Sequence, residues 1–363
     1  MSRDSMTDAE LLSRVFGLLD PGAAGIHGLR RGGRLLLALP KTGEAAARAL
    51  RLYQPQRRLA RWMVAVLHGL ARASLQGCLL PKLHLAGEPV TLDPPLPGIE
   101  PGTCGVLLGS PEHRVRRAIA SFRNAGQWEV AKISFGKDGA RVLEREAQVL
   151  KELQPLTKGV PRLLGLHRAA GVTVLRMPYL TGDPVSPGES AGALRLLHHW
   201  ITDGVPQPAT AFPEWGAIES ALSGDEAGTR VLGKISQLQL KPVICHGDFA
   251  RWNLLQQADG ELIVLDWEWG HAPGMPGIDL IHYFLQDARL VRRLTATAAI
   301  ASTLRDLNQP ACRGYLNDTG WTGDMLLAII ACLAYKQGAG HQENGEVLRA
   351  AVASAEPGPH NFS

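Results

Sequence analysis

The sequence predicts an α+β chain in which a small antiparallel sheet precedes a larger, mainly helical region, and three observations carry that reading. From Cys104 the runs VLLGS, RRAIASF and WEVAKISF are short, β-rich and separated by polar breaks, as in an antiparallel sheet. From Gly192 onward the pattern is mainly helical, interrupted by PVICHGDF and ELIVLDWEWG. A cluster of prolines and glycines from Pro81 to Pro101, ending in LDPPLPGIEPG, places a boundary near residue 98. The expected organisation is an N-terminal accessory region over 1–98, a small lobe over 99–179 and a large lobe over 180–363. A length of 363 residues fits two or three structural units better than one core.

In chain order, Leu59, Trp62, Met63, Val66, Leu67 and Leu70 follow the i, i+3, i+4, i+7 spacing of an amphipathic helix. The adjacent Arg57, Arg58 and Arg61 read as a solvated helix face, with contact to an anionic partner or membrane surface as the less favoured reading. After the β-rich runs a helix is expected over Ala140 to Leu153, then the apolar runs Arg162 to Leu166 and Val172 to Met177 and the turn residues of TGDPVSPGES. Met325 to Tyr335 is strongly apolar but well short of the roughly 18 residues of a membrane span, so it reads as a buried helix.

Composition narrows the class. Apolar residues at 45% and charged residues at 20% exclude a largely disordered chain. The first 22 residues carry scattered acids and no continuous apolar core, unlike a secretory signal. Five cysteines, odd in number and far apart, lack the spacing of a zinc or redox motif, and a reduced cytoplasmic setting is expected. Basic side chains outnumber acidic ones 26 to 14 up to residue 182, whereas acids lead 20 to 12 beyond it. Two electrostatically different parts follow, with no nucleic-acid partner expected.

The strongest chemical signal is His246-Gly247-Asp248-Phe249-Ala250-Arg251-Trp252-Asn253, followed by a β-type run from Leu262 to Leu265 that ends at Asp266. A carboxylate at Asp248 would accept or orient a hydroxyl proton. Asn253 and Asp266 offer the oxygen ligands that magnesium prefers. These segments, HGDFARWN and VLDWEWG, closely resemble the catalytic and metal-binding segments of the aminoglycoside phosphotransferase and choline kinase family, relatives of the protein kinases. The resemblance extends over roughly residues 104 to 290, with its strong motifs between 244 and 280.

What the resemblance implies is a protein-kinase-like two-lobed fold that binds ATP and Mg²⁺ and phosphorylates the hydroxyl of a small molecule such as a sugar, aminosugar or amino alcohol. Asp248 becomes the catalytic residue, with Asn253 and Asp266 on the metal. His246 is expected to brace the loop, and Glu268 is either a second metal contact or a solvent-facing residue. The small lobe should supply a lysine to the phosphates and a helical glutamate to pair with it. Lys132, alone in the apolar pattern Val130-Ala131-Lys132-Ile133, is the candidate. On a helix whose apolar face is Leu143, Ala147, Leu150 and Leu153, Glu146 shares that face at about 100° per residue and Glu144 does not.

Gly109 and Ser110 are candidates to cover the phosphates, although Leu108-Gly109-Ser110-Pro111-Glu112 lacks the GxGxxG pattern of protein kinases. Leu175 to Leu180 resembles the family's hinge, and because Pro178 has no backbone donor the adenine contacts are assigned to Met177 and Tyr179. Gly274 to Leu280 resembles the family's GxPxxDL stretch, with Asp279 expected as a helix N-cap and active-site brace. The alternative function is a catalytically silent, nucleotide-binding pseudokinase acting as an interaction module. No transmembrane segment is expected.

Overall fold

The computed structural model describes residues 6–20, 23–53, 55, 58–83, 92, 96, 98–109, 117–169, 171–186, 188–340 and 344–355. It divides into two compact units, one made of residues 1–151 and 161–181 and the other of 152–160 and 182–363.

The first unit contains α1 (Asp8–Leu19), β1 (His27–Arg31), β2 (Arg34–Leu39), α2 (Gly43–Arg51), α3 (Arg58–Arg72), β3 (Gly105–Leu108), β4 (Arg117–Asn124), β5 (Gln127–Phe135), all but the last two residues of α4 (Gly136–Leu153), β6 (Gly165–Ala169) and β7 (Val172–Pro178). Seven described strands form one sheet in the order β1-β2-β3-β4-β5-β7-β6, with every neighbouring pair antiparallel. Strand alternation gives the sheet two distinct faces. On one, Ala38, Val106, Ala120, Phe122, Ala131, Ile133 and Val174 pack with Leu11, Leu12, Val15 and Phe16 of α1. Thr7 starts that helix with a reciprocal cap, accepting from the Glu10 amide while the Glu10 carboxylate accepts from its own amide. On the other face, Leu37 and Leu39 pack with Ala46, Ala49 and Leu50 of α2, and behind them lie Leu67 and Ala71 of α3.

The boundary expected near residue 98 therefore falls inside one unit. The described part of the N-terminal region adds two strands to the sheet and a helix layer to each of its faces. The reason is an edge effect: β3 alone would end the sheet with unpaired backbone groups, and the pairing of β2 Leu37 and Ala38 with Leu107 and Val106 removes that edge.

The second unit contains β8 (Asp183–Pro184), α5 (Ala191–His199), β9 (Gln207–Pro208), α6 (Trp215–Leu222), α7 (Glu226–Ser236), β10 (Gln239–Leu240), β11 (Val243–Cys245), β12 (Leu254–Gln256), β13 (Leu262–Val264), β14 (His271–Gly274) and helices α8 (Ile278–Gln286), α9 (Ala296–Leu307), α10 (Pro310–Asp318), α11 (Met325–Gly338) and α12 (Gly345–Ser354). Its short strands pair as β11 with β14 and as β13-β12-β8, which fixes the loops between them over the helical core. Helix α11 is buried along nearly its whole length, in keeping with the apolar run that defines it. Among the described residues no helix is long and apolar enough to cross a membrane. The fold class is thus α+β, an antiparallel-sheet unit and a mainly helical one.

Candidate active site

Lys132 stands in a cross-strand row that runs Leu29, Leu37, Leu107, Ile119, Lys132, Leu175 and Leu166. A charge in an aliphatic row needs a partner. The Lys132 Nζ lies 2.5 Å from Glu146 Oε1 on α4, and both side chains are buried. Glu144, two residues earlier and so about 200° around the helix, turns outward to Arg168 at 2.8 Å. Removing one partner would strand the other charge in the interior, at a cost on the order of 3–5 kcal/mol.

Directly after β3, the Gly109 amide donates to the Arg117 carbonyl at 2.9 Å. Ser110 lies outside the described residues. At the end of β7, Met177 pairs with Val130 of β5. The Tyr179 amide donates to the Trp128 carbonyl at 2.9 Å, so that donor also belongs to the backbone frame. The Tyr179 hydroxyl donates to the Arg48 carbonyl of α2 at 2.9 Å. Burial pushes that phenol up from its ordinary pKa, against the opposing charges of Arg48 and Arg51. The Arg48 guanidinium lies over both the Trp128 and Tyr179 rings, and Glu44 accepts from Arg48 and from the Trp128 indole. Helix α2 therefore anchors the end of the strand pair.

In the second unit, β11 delivers His246-Gly247-Asp248 into a tightly tied loop. Gly247 has φ +79°, and a Cβ there would approach the Trp269 Cβ to 2.7 Å and its carbonyl oxygen to 2.9 Å. Both backbone conformation and space require glycine. The His246 ring accepts the Asp248 N–H on Nδ1, at 3.2 Å. Its Nε2 then carries the proton and donates to the Leu265 carbonyl at 2.9 Å. Burial lowers the His246 pKa despite the surrounding carboxylates, consistent with a neutral imidazole that braces the loop.

Leu265 in turn donates its amide to the Asn253 carbonyl at 2.7 Å. The loop carrying Asp248 and Asn253 and the strand end carrying Asp266 are thereby stitched through one residue's backbone. Asp266 itself has a left-handed conformation, φ 71° and ψ 58°, uncommon for a residue other than glycine and a feature that recurs at functional sites. Glu268 sits half-buried in the short 3₁₀ turn Trp267–Trp269 that follows.

Asp248 is held on both carboxylate oxygens. Oδ2 accepts from the Asn253 amide at 3.1 Å, and the same amide nitrogen donates to the Asp248 carbonyl at 2.9 Å. Oδ1 accepts from His282 Nε2 of α8 at 2.9 Å. Burial alone would raise the Asp248 pKa, but the hydrogen bond and charge of His282, with Lys336 and His246, outweigh it and hold the carboxyl well below the usual carboxylate range. With its nitrogen used by the loop, Asn253 keeps its amide oxygen as an acceptor. That oxygen and the Asp266 carboxylate are hard donors, which fit a magnesium ion.

Asp279 corrects one expectation. Gly277, at φ 84°, occupies the N-cap of α8, and Asp279 lies in the first turn with its side chain bonded to the His246–Gly247 backbone. Its carboxylate accepts the His246 amide at 2.6 Å and the Gly247 amide at 2.9 Å. Burial pushes its pKa up, opposed by those two donors and by nearby positive charge.

Two residues of this site, His282 and Lys336, were not found from sequence. Lys336 of α11 is buried and donates to the Gly247 carbonyl. His282 lies within the largely apolar helical run IDLIHYFL, and Lys336 directly follows the apolar run MLLAIIACLAY, so each is a chargeable nitrogen in apolar surroundings. That is the same cue that singles out Lys132.

The model of the phosphotransferase enzyme family matches residues 121–271. Solved structures similar to the chain include aminoglycoside phosphotransferase APH(4)-Ia in a ternary complex with ADP and hygromycin B, at 13% identity and a TM-score of 0.44 over 69% of this chain and 94% of that one. Choline kinase LicA from Streptococcus pneumoniae is 14% identical, with a TM-score of 0.43 over 71% and 94%. A putative fructosamine-3-kinase from Haemophilus somnus 129PT is 11% identical, with a TM-score of 0.44 over 70% and 91%. No curated protein matches the sequence. The segment that matches the phosphotransferase enzyme family, residues 121–271, holds Lys132, Glu146, Asp248, Asn253 and Asp266.

Proposed function

We propose that the protein is an ATP-dependent kinase that transfers the γ-phosphoryl group to a hydroxyl of a small molecule, a sugar, aminosugar or amino alcohol. The observation that carries this reading is Asp248, an ionised carboxylate fixed by Asn253 on one oxygen and His282 on the other. Phosphoryl transfer asks little covalent chemistry of a protein and much positioning. A carboxylate of depressed pKa suits that demand: it orients the acceptor hydroxyl first and takes its proton late. The oxygen–phosphorus bond then forms while the bond to ADP breaks.

Lys132, held by Glu146, is assigned to the α and β phosphates. Asn253 and Asp266 would hold magnesium, which when bound neutralises phosphate charge and polarises the phosphoryl group. The two adenine contacts expected at the hinge, Met177 and Tyr179, would be made by groups other than the Tyr179 amide, which is already engaged.

The test is an acceptor panel assayed with Mg-ATP, run on wild type and Asp248→Asn, beside calorimetric ATP titrations with and without magnesium. The expected result is ADP formation dependent on one acceptor class, a loss of turnover of about 10²-fold or more in the variant, and nearly unchanged nucleotide binding. Equal turnover in the variant and wild type would sink the assignment.

A further inference from the structure

Helix α3 has two adjacent apolar arcs, and among the described residues only one of them is covered. At about 100° per residue, Ala60, Val64, Leu67 and Ala71 fall together, and Leu67 and Ala71 are the members buried with α2. Leu59, Trp62, Met63 and Val66 form the neighbouring arc and stand in solvent, with relative exposures of 71%, 64%, 48% and 41%. Leu75 and Leu79, just beyond the helix, are also exposed. Arg61 and Arg72 lie together on the remaining, polar arc and are exposed as well.

Charge decides what could cover this strip. Between Glu44 and Glu88 the sequence holds no Asp or Glu, while Arg48, Arg51, Arg57, Arg58, Arg61, Arg72 and Lys82 supply seven cations. A second copy of the chain would meet it through the same patch, because a two-fold interface is self-complementary. That would set one cationic segment against another with no acid from either copy's segment to offset it. A nucleic acid would satisfy the arginines and leave the aromatic and aliphatic strip without an apolar partner. An anionic bilayer surface satisfies both features: Trp, Leu and Met enter the boundary between headgroups and acyl chains, and arginines reach the phosphates.

We propose that α3 is a membrane-docking helix that lies in the plane of an anionic phospholipid surface, with Leu59, Trp62, Met63 and Val66 inserted and Arg61 and Arg72 beside the headgroups. This inference is independent of the phosphotransfer chemistry.

Co-sedimentation of the full chain with two vesicle preparations tests it, one of phosphatidylcholine alone and one of equimolar phosphatidylcholine and phosphatidylserine. The expected outcome is binding to the second preparation that weakens as salt is added. Trp62→Glu should reduce that binding at least about tenfold, because it places a charge in the inserted strip. Arg61→Glu should weaken it through charge while leaving the apolar strip intact. Both positions are exposed and outside the phosphotransfer machinery, so the thermal unfolding midpoint and ADP release should match wild type. Equal binding to both vesicle types, or binding indifferent to either substitution, would overturn the proposal. So would absence of vesicle binding together with a dimer that Trp62→Glu dissociates, which would assign the strip to a second copy.

Discussion

At the scale of single residues, the site depends on side chains that hold other side chains. His282 is the clearest: it reaches Asp248 Oδ1 from α8 and leaves Asn253 to hold Oδ2. Replacing His282 with alanine should let the carboxylate rotate and lower turnover by roughly tenfold to 10²-fold, with the KM for ATP little changed. Gln, which keeps a donor near the Nε2 position, should restore part of the loss. Equal damage by alanine and glutamine, with a matching fall in thermal stability, would assign His282 to the core alone. The residues at the centre of the site were legible because their chemistry is local: Asp248 and Asn253 share one loop, and Asp266 ends the next strand. His282 and Lys336 come from helices 34 and 88 residues further along than Asp248, and nothing in their own neighbourhoods names the loop they hold. The pairing of the Gly109 and Tyr179 amides with the Arg117 and Trp128 carbonyls is likewise invisible in any local pattern.

At the scale of elements, helical periodicity identifies the buried face where a helix has one apolar arc and does not where two apolar arcs adjoin. On α4 the buried face is set by Leu143, Leu150 and Leu153, and the same spacing that selects them selects Glu146 over Glu144. On α3 the same rule reads Leu59, Trp62, Met63 and Val66 as a face to be buried, and they are exposed. Periodicity reports that a strip is apolar and cannot report what covers it. The α4 geometry yields a double-mutant cycle: Lys132→Ala and Glu146→Ala should each reduce productive use of Mg-ATP, and the double variant should be scarcely worse than either alone. Fully additive losses would mean that the pair does not act as one unit.

At the scale of the whole molecule, the sequence pattern places the later strands of the sheet ahead of the helical region, but its boundary near residue 98 falls inside the first unit and leaves β1 and β2 outside the sheet. Proline and glycine between residues 81 and 101 read as turn-rich, and that composition marks a loop without saying whether it joins elements or units. Removing residues 1–98 distinguishes the two cases. The deletion would strip α1 from Val106, Ala120, Phe122 and Ile133. It would also leave β3 as an edge strand with Leu107 unpaired from Leu37, and take away the Arg48 carbonyl that holds the Tyr179 hydroxyl. An apolar sheet face and a new unprotected edge are both routes to association between chains. The truncated chain should therefore be recovered mainly as aggregate, and any soluble fraction should unfold at a clearly lower temperature than the full chain. A soluble truncated protein with an unchanged unfolding midpoint would show instead that the N-terminal strands and helices dock on a lobe already complete without them.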